Sequence, residues 1–577
     1  MYLRRCRRTR GKKNHVYWEL VESYRTERGP RQRVVAYLGD VAESRRLGVQ
    51  QAAKGIKGSW QSRLFDETDE PEWVEVDTRH VYVEGVRDFG GLWLGLEISE
   101  RLGLIPFLER LLPEGQEDIP WSMMVMTLIL MRLSEPSSEL RIAEHLYERS
   151  TLPYLLGIPV DKVNDDRLYR TLDRLLPHKN EIEKYLKDRI GDLFGLEYDL
   201  LLYDVTSTYF EGVAASNEQA RHGYSRDHRP DCKQVCIALV VSKEGFPLGY
   251  EVFNGNRADV TTVEDIVEKI EDQYGSAGRV WVMDRGMVSE ENLEFLREGE
   301  RHYIVGTPKS QLKRYEQELL KADWHEVREG LEVKLCPSPD GKESFILCRS
   351  ADRAVKEKAI HDRFEKRIEK GLVKLAESCR KKKQKLGAIE RRVGRLLESN
   401  SRASGLYKVD VVERTSGGVD VLWEKVEGWR DWAELSEGCY MLRSNITDWD
   451  AKDLWEAYIQ LTQAENAFRI QKSDLKIRPI WHQKEERVQA HILVCFLTYV
   501  LWKMLGQMCK RAGLGNEPRK VLEEISLIKA VDIALPTRQG TIIRRRCIAR
   551  PTESQAILLQ MLRLRLPQCM KIYENVV

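Results

Sequence analysis

Apolar residues along this chain follow two periods, and the switches between them mark its organisation. His15–Tyr24 and Arg33–Leu38 are rich in β-forming residues, with Gly29-Pro30 between them, which predicts a small β unit over 14–40. From 85 to 197 helical spacing takes over, across Trp93–Arg110, Met123–Leu133, Ser138–Glu148, Asp166–Leu175 and Asn180–Phe194. At Tyr198 the character changes again. The run Tyr198–Tyr203 reads as a buried strand that Asp204 ends, and Val235–Val241 and Pro247–Phe253 continue an antiparallel meander. A helix over Val263–Tyr274 follows, then a strand, Arg279–Met283, that ends in Asp284. This order predicts an α/β unit with acids at two strand ends.

Residues 310–445 interrupt that unit. Leu331–Leu335, Ser344–Leu347, Tyr407–Val412 and Val419–Glu424 are strand-like, and Arg353–Glu398 reads as a long charged helical region, bent near Gly371 or Gly387. Asp450 is a candidate N-cap for a helix that runs to Ser473 and is closed by Arg478-Pro479. A second helix is expected over Lys484–Lys510, and a helical tail after Gly513. The expected domains are 1–75 (a basic arm and β unit for DNA ends), 76–197 (helical DNA-binding or linker region) and 198–309 (first part of the core). They continue with 310–445 (β-rich insertion), 446–512 (second part of the core) and 513–577 (tail).

With 577 residues the chain exceeds one hydrophobic core, and 42% hydrophobic with 32% charged residues describes a soluble, charge-rich protein. The apolar runs Ile119–Leu133 and Ile492–Trp502 are too short for a bilayer, so no membrane association is expected. Eleven scattered cysteines without a CxxC pair suit a reducing cytoplasm. The net charge of +2 hides clusters. Within residues 1–13, Arg4, Arg5, Arg7, Arg8, Arg10, Lys12 and Lys13 are accompanied by no acid; 352–397 holds 16 Lys/Arg against 7 Asp/Glu; Arg544, Arg545 and Arg546 are contiguous. Local phosphate contacts or plain solvated surface both account for such patches.

A carboxylate ending an apolar strand is costly unless something compensates it, and two on neighbouring strands repel unless a cation lies between them. Capping of the following turn is the competing explanation for Asp204 and Asp284 taken singly. A third acid, Glu465, shares a helical face with Tyr458, Leu461, Arg469 and Lys472, at offsets of −7, −4, +4 and +7. That face offers a stacking ring, a carboxylate and two phosphate-seeking cations; an ordinary amphipathic helix has the same spacing. His222, His228, Cys232 and Cys236 fit no standard zinc spacing, and His491 on an apolar helix reads as a satisfied core histidine.

The segments Tyr203–Thr208, Gly223–Asp227, Gly255-Asn256, Met283–Gly286 and Gln463–Arg469, in this order, resemble bacterial insertion-sequence transposases. The resemblance is to the insertion-sequence-four superfamily, whose signature Y-x2-R-x3-E-x6-K reads here Tyr458-x2-Leu461-x3-Glu465-x6-Lys472, with Leu461 departing from the usual Arg. It implies an RNase H-like catalytic core interrupted by a β-rich insertion with a helical projection, plus helical N- and C-terminal regions. It implies a DDE triad of Asp204, Asp284 and Glu465 holding two Mg²⁺ ions, with Mn²⁺ able to substitute, for DNA endonuclease and strand-transfer chemistry. Tyr458, Arg469 and Lys472 would contact DNA, and Trp432 is the base-flip candidate among Trp423, Trp429 and Trp432. The implied partners are double-stranded DNA, both element ends and target, and a second copy in a synaptic homodimer; the implied location is the cytoplasm, at the nucleoid. An RNase H-like nuclease without strand transfer and a catalytically silent DNA-binding descendant are the alternatives.

Overall fold

The basic N-terminus folds as a strand rather than extending as a free arm. In the computed structural model, which describes residues 2–10, 13–26, 29–39, 74–113, 115–276, 278–415, 417–567 and 569–570, Tyr2–Arg10 (β1) pairs antiparallel with Lys13–Thr26 (β2). Gly29–Gly39 (β3) completes a three-stranded meander. Lys12 and the segment 40–73 lie outside the described residues, as do the side chains of Arg7, Arg8, Arg10 and Lys13. After Tyr82–Asp88 (β4) come the helices Gly90–Leu102 (α1), Trp121–Ser134 (α2), Asp165–Leu175 (α3) and Lys179–Phe194 (α4). The helix expected over Trp93–Arg110 is broken at Gly103, where φ is +71°, a value glycine adopts without strain.

Leu200–Tyr209 (β5), Gln234–Ser242 (β6) and Pro247–Asn254 (β7) form the expected antiparallel meander, with Asp204 opposite Leu239. Val263–Tyr274 (α5), Val280–Met283 (β8), Glu290–Glu298 (α6) and His302–Gly306 (β9) follow. Then come His325–Arg328 (β10), Leu331–Pro337 (β11), Ser344–Ser350 (β12) and the charged helices Ala351–Lys381 (α7) and Leu386–Glu398 (α8). Tyr407–Glu413 (β13), Val419–Lys425 (β14), Glu427–Ser436 (α9) and Cys439–Ser444 (β15) lead to Ala451–Ile459 (α10), Thr462–Ser473 (α11) and Glu485–Arg511 (α12). Pro518–Ser526 (α13), Lys529–Pro536 (β16), Ile542–Ile548 (β17) and Glu553–Leu562 (α14) close the chain, with a short strand at Cys569–Met570.

The chain divides into two units, Met1–Ala277 with Thr462–Val577, and Gly278–Leu461. In the first, α11 packs on β5 and β6 while α4, α5 and α12 pack on β7. Helix α12 is apolar on all sides; its most apolar window has a mean hydropathy of 1.6 and is 83% buried among the surrounding helices, as the centre of a protein core. The tail is not all helical. β16 pairs with β17 on one side and with β4 on the other, because Lys529–Pro536 and Ile542–Ile548 are β-rich and Gly540 supplies the positive φ of the turn between them.

In the second unit the strand order is β10-β11-β12-β15-β9-β8, parallel only between β8 and β9. The insertion is therefore no separate β domain at its base: β15 pairs with β9, and β12 with β15, so inserted strands extend the sheet that β8 and β9 begin. Helix α7 continues unbroken through Gly371, where an added Cβ would lie 2.6 Å from Leu396 of α8, so this glycine permits close packing of the two helices. The β13–β14 hairpin shares a small core with α7 and α8 around Ile368, Leu372, Ile389 and Val421.

Candidate active site

Asp204 does not end its strand. Val205, Thr206 and Thr208 are β-branched and continue β5 to Tyr209, paired with Gln234–Ala238 of β6, so the carboxylate projects from mid-strand and is half-buried. Its Oδ1 accepts the Val205 N–H at 2.8 Å. Strand alternation puts Thr206 on the same face.

That face meets α11. Lys472 Nζ donates to Thr206 Oγ1 at 2.8 Å and to Asp227 Oδ1 at 2.9 Å, and Arg478 also pairs with Asp227. At the other end of α11, Gln463 lies against Gly245 in the β6–β7 turn, beside the residues that pair with the start of β5. The helix thus runs alongside β5 in the same direction. Glu465 precedes Lys472 by two turns, about 10 Å, on nearly the same helical face. About three residues of strand cover that rise, so Glu465 falls level with Tyr203 and Asp204. It is exposed in the first turn of α11.

Asp227 is the anchor of this arrangement. Its side chain is only 3% exposed and its Oδ2 has no hydrogen-bond partner among the described residues. Burial pulls the Lys472 ammonium below its ordinary pKa, against the Asp227 charge that favours protonation. Arg226, one residue earlier, donates its backbone N–H to Ser207 Oγ and its guanidinium to Asp259. Arg469 is exposed on α11, with its Nε 3.4 Å from Asn466 Oδ1.

The single helix expected over 450–473 is two. Gln460 and Leu461 close tight turns onto the carbonyls of Ala457 and Tyr458, and Leu461 buries its side chain, which separates α10 from α11. Tyr458 therefore does not share a helix face with Glu465. In the second unit, Asp284 is exposed directly after β8, as expected, and Tyr458 lies nearby: its hydroxyl would be 2.6 Å from a Cβ on Gly306. Burial, and then the Asp284 charge, raise the Tyr458 pKa well above the ordinary phenol. Trp432 packs, partly buried, against the cluster containing Leu312, Cys439 and Met441, and Trp423 and Trp429 pack against the α7–α8 core.

A second buried polar cluster was not legible in sequence. Glu139, His482 and His491 offer ligand atoms within 4.8 Å of one another. His491 is satisfied without an ion: Nε2 faces the Ile477 carbonyl at 3.1 Å and Nδ1 faces Arg132 Nη2 at 3.4 Å. Burial, with the Arg132 and His482 charges, pushes its pKa down to about 3. Burial alone would raise Glu139, but the His482 contact outweighs it and holds the acid down, to about 2. Both folded values lie below the ordinary ones, so the unfolded chain takes up the extra protons. His491's contribution to stability is complete above about pH 6.5 and is lost toward pH 3; that of Glu139 is complete above about pH 4.5 and is lost toward pH 2. Urea unfolding should show stability declining as pH falls below about 6.5, and His491→Gln should flatten the profile between about pH 4.5 and 6.5. A variant profile as steep as the wild type would contradict this assignment.

Of the set His222, His228, Cys232 and Cys236, the Cys232 thiol lies beside Asp231 and Arg229, and the Cys236 thiol toward the Gly255 and Arg257 carbonyls. Of the arginine block, Arg544 pairs with Glu84 and Arg546 with Asp532, so much of that charge is neutralised within the fold.

Residues 195–501 match the transposase DDE domain family, a span covering more than half of the chain. The chain belongs to the DDE transposases. Residues 3–67 match the N-terminal domain of the IS1634 family transposases, which specifies an insertion-sequence transposase. No curated protein matches the chain. Among solved structures, a cryo-EM structure of a piggyBac transposase synaptic complex with hairpin DNA is 9% identical, over 79% of this chain and 82% of that one, with a TM-score of 0.34, too remote to carry an argument. For this DDE transposase, sequence reasoning singled out Asp204, Asp284 and Glu465 as candidates and assigned no role to Asp227. Asp227 stood within the quoted Gly223–Asp227 motif, whose burial against Lys472 depends on contacts 245 residues apart.

Proposed function

We propose that this transposase cuts the ends of its insertion sequence and joins them to target DNA, using Asp204, Asp284 and Glu465 in an RNase H-like core. The observation that most supports this reading is the Lys472–Thr206 contact, which aligns Glu465 with Asp204 within one unit. Three carboxylates make a hard oxygen donor set suited to Mg²⁺, with Mn²⁺ able to replace it, whereas the Glu139–His482–His491 cluster has its His491 nitrogens already engaged. Bound there, two such ions would supply activation of an attacking water or 3′-OH and stabilisation of the leaving 3′ oxygen.

The chain's own groups hold and orient. Lys472 fixes α11 on β5, and through it the level of Glu465. Arg469, exposed one turn beyond Glu465, is free to reach a phosphate, and Tyr458 lies beside Asp284 to pack against the DNA end. Bringing two element ends together calls for a homodimer, acting in the cytoplasm at the nucleoid. Incubation with a duplex carrying the chain's own element end, a plasmid target and Mg²⁺ tests the reading. Mapped 3′-OH termini at the element boundary and joined products are expected, both abolished by EDTA. Ends cut but never joined would mark a nuclease without strand transfer.

A further inference from the structure

The strongest uncommitted charge feature lies on α7. At about 100° per residue, Lys356, Arg363, Arg367, Lys370, Lys374 and Lys381 fall within about 40° of one line along the helix. All six are exposed. From 356 to 381 the other positions in that sector are Ala359 and Glu377. The acids of α7 are partly spent elsewhere: Glu357 pairs with Lys309 and Arg353, and Glu365 and Glu369 with Lys425 of β14. Among the described residues no acid pairs with any of the six cations.

This arrangement opposes the helix's own stability. Like charges at i,i+4, as in Arg363/Arg367 and Lys370/Lys374, are unfavourable in an isolated helix. The opposite face is fixed: Ile368, Leu372 and Cys379 are buried against α8 and the β13–β14 hairpin. The stripe is therefore presented on a supported rod. It extends about 37 Å, close to one turn of B-form DNA at about 34–36 Å.

We infer that this face of α7 is a docking surface for the phosphate backbone of duplex DNA, contacted without regard to base sequence. The inference rests on the proposed transposase reading, which supplies the duplex; charge complementarity and length supply the fit. Element-end DNA and target DNA offer the same phosphates, and the two are separated by the arms of the test.

The test uses the full chain and measures affinity against K⁺ concentration for an element-end duplex and for a random duplex. Wild type is compared with R363Q/R367Q, with K370Q/K374Q and with the four-fold variant. Each lost phosphate contact lowers the slope of log affinity against log salt by about 0.9. The four-fold variant should thus lose roughly 100-fold less affinity than wild type between about 50 and 200 mM salt, and each double variant about half of that slope change. The positions are exposed, and circular dichroism checks that each variant is folded. K370R/K374R should restore the wild-type slope. A change on one duplex only assigns the surface to that source. Slopes unchanged on both, in folded variants of a wild type that cleaves its ends, would overturn the surface and leave the transposase reading standing. A slope change in a protein that cleaves nothing would support the surface and sink that reading. A wild type that binds no duplex at all overturns the surface.

Discussion

Alanine at Asp204, Asp284 or Glu465, each singly, is expected to lower Mg²⁺-dependent cleavage of element ends by about 10²–10³-fold or more, while the protein stays folded and still binds the ends. Asp284 and Glu465 are exposed, so neither supports the core, and surface substitutions of this kind usually move stability by no more than about 0.5 kcal/mol. Asp204 is half-buried in the centre of β5, and its replacement tests the harder case. The surrounding residues Tyr203, Val205, Ser207 and Thr208 are buried and continue to define the strand. Loss of cleavage with retained binding and an unchanged unfolding curve is the signature of a metal-holding carboxylate. Full Mg²⁺-dependent cleavage by any one variant would remove that residue from the triad.

Asp227→Ala is expected to destabilise the fold by about 3–5 kcal/mol, the cost of removing one member of a buried ion pair and leaving the other uncompensated. Lys472 and Arg478 converge on this one carboxylate, and their side chains are 12% and 31% exposed, so water does little to replace it. The same change frees Lys472 from one of its two partners and loosens α11 on β5, so cleavage should fall along with stability. Asp227→Asn keeps an acceptor oxygen but no charge and should be intermediate. Urea denaturation reads the effect, and a loss below about 1 kcal/mol for Asp227→Ala, the scale of an exposed pair, would contradict the role given to this anchor.

How far the sequence led depended on whether a feature is local. The meander β5–β7 was readable because each strand is a continuous apolar run bounded by turn residues. The end of β5 was misplaced because Asp204 looks like a strand terminator, while the β-branched residues after it, paired to β6, carry the strand past the charge. The division of α10 from α11 was invisible for the opposite reason: Leu461 fits the helical period, and only its burial in a tight turn reveals the break. The basic block Arg544–Arg546 stood open between phosphate contact and solvated surface, because Glu84, the partner of Arg544, lies 460 residues away in the chain. The stripe on α7 was present as a charge excess, but which cations share a face emerged once the helix proved unbroken at Gly371.

The central claim is that three carboxylates far apart in the chain hold metal together. Fe²⁺ substituted for Mg²⁺, with ascorbate and peroxide, cuts a polypeptide where the bound ion generates radicals, and the fragments can be mapped. Cuts clustered around Asp204, Asp284 and Glu465, suppressed by excess Mg²⁺ and absent from the alanine variants, are the predicted result. Cuts confined to the surroundings of Glu139, His482 and His491, or Mg²⁺-suppressible cuts near only one of the three acids, would contradict it.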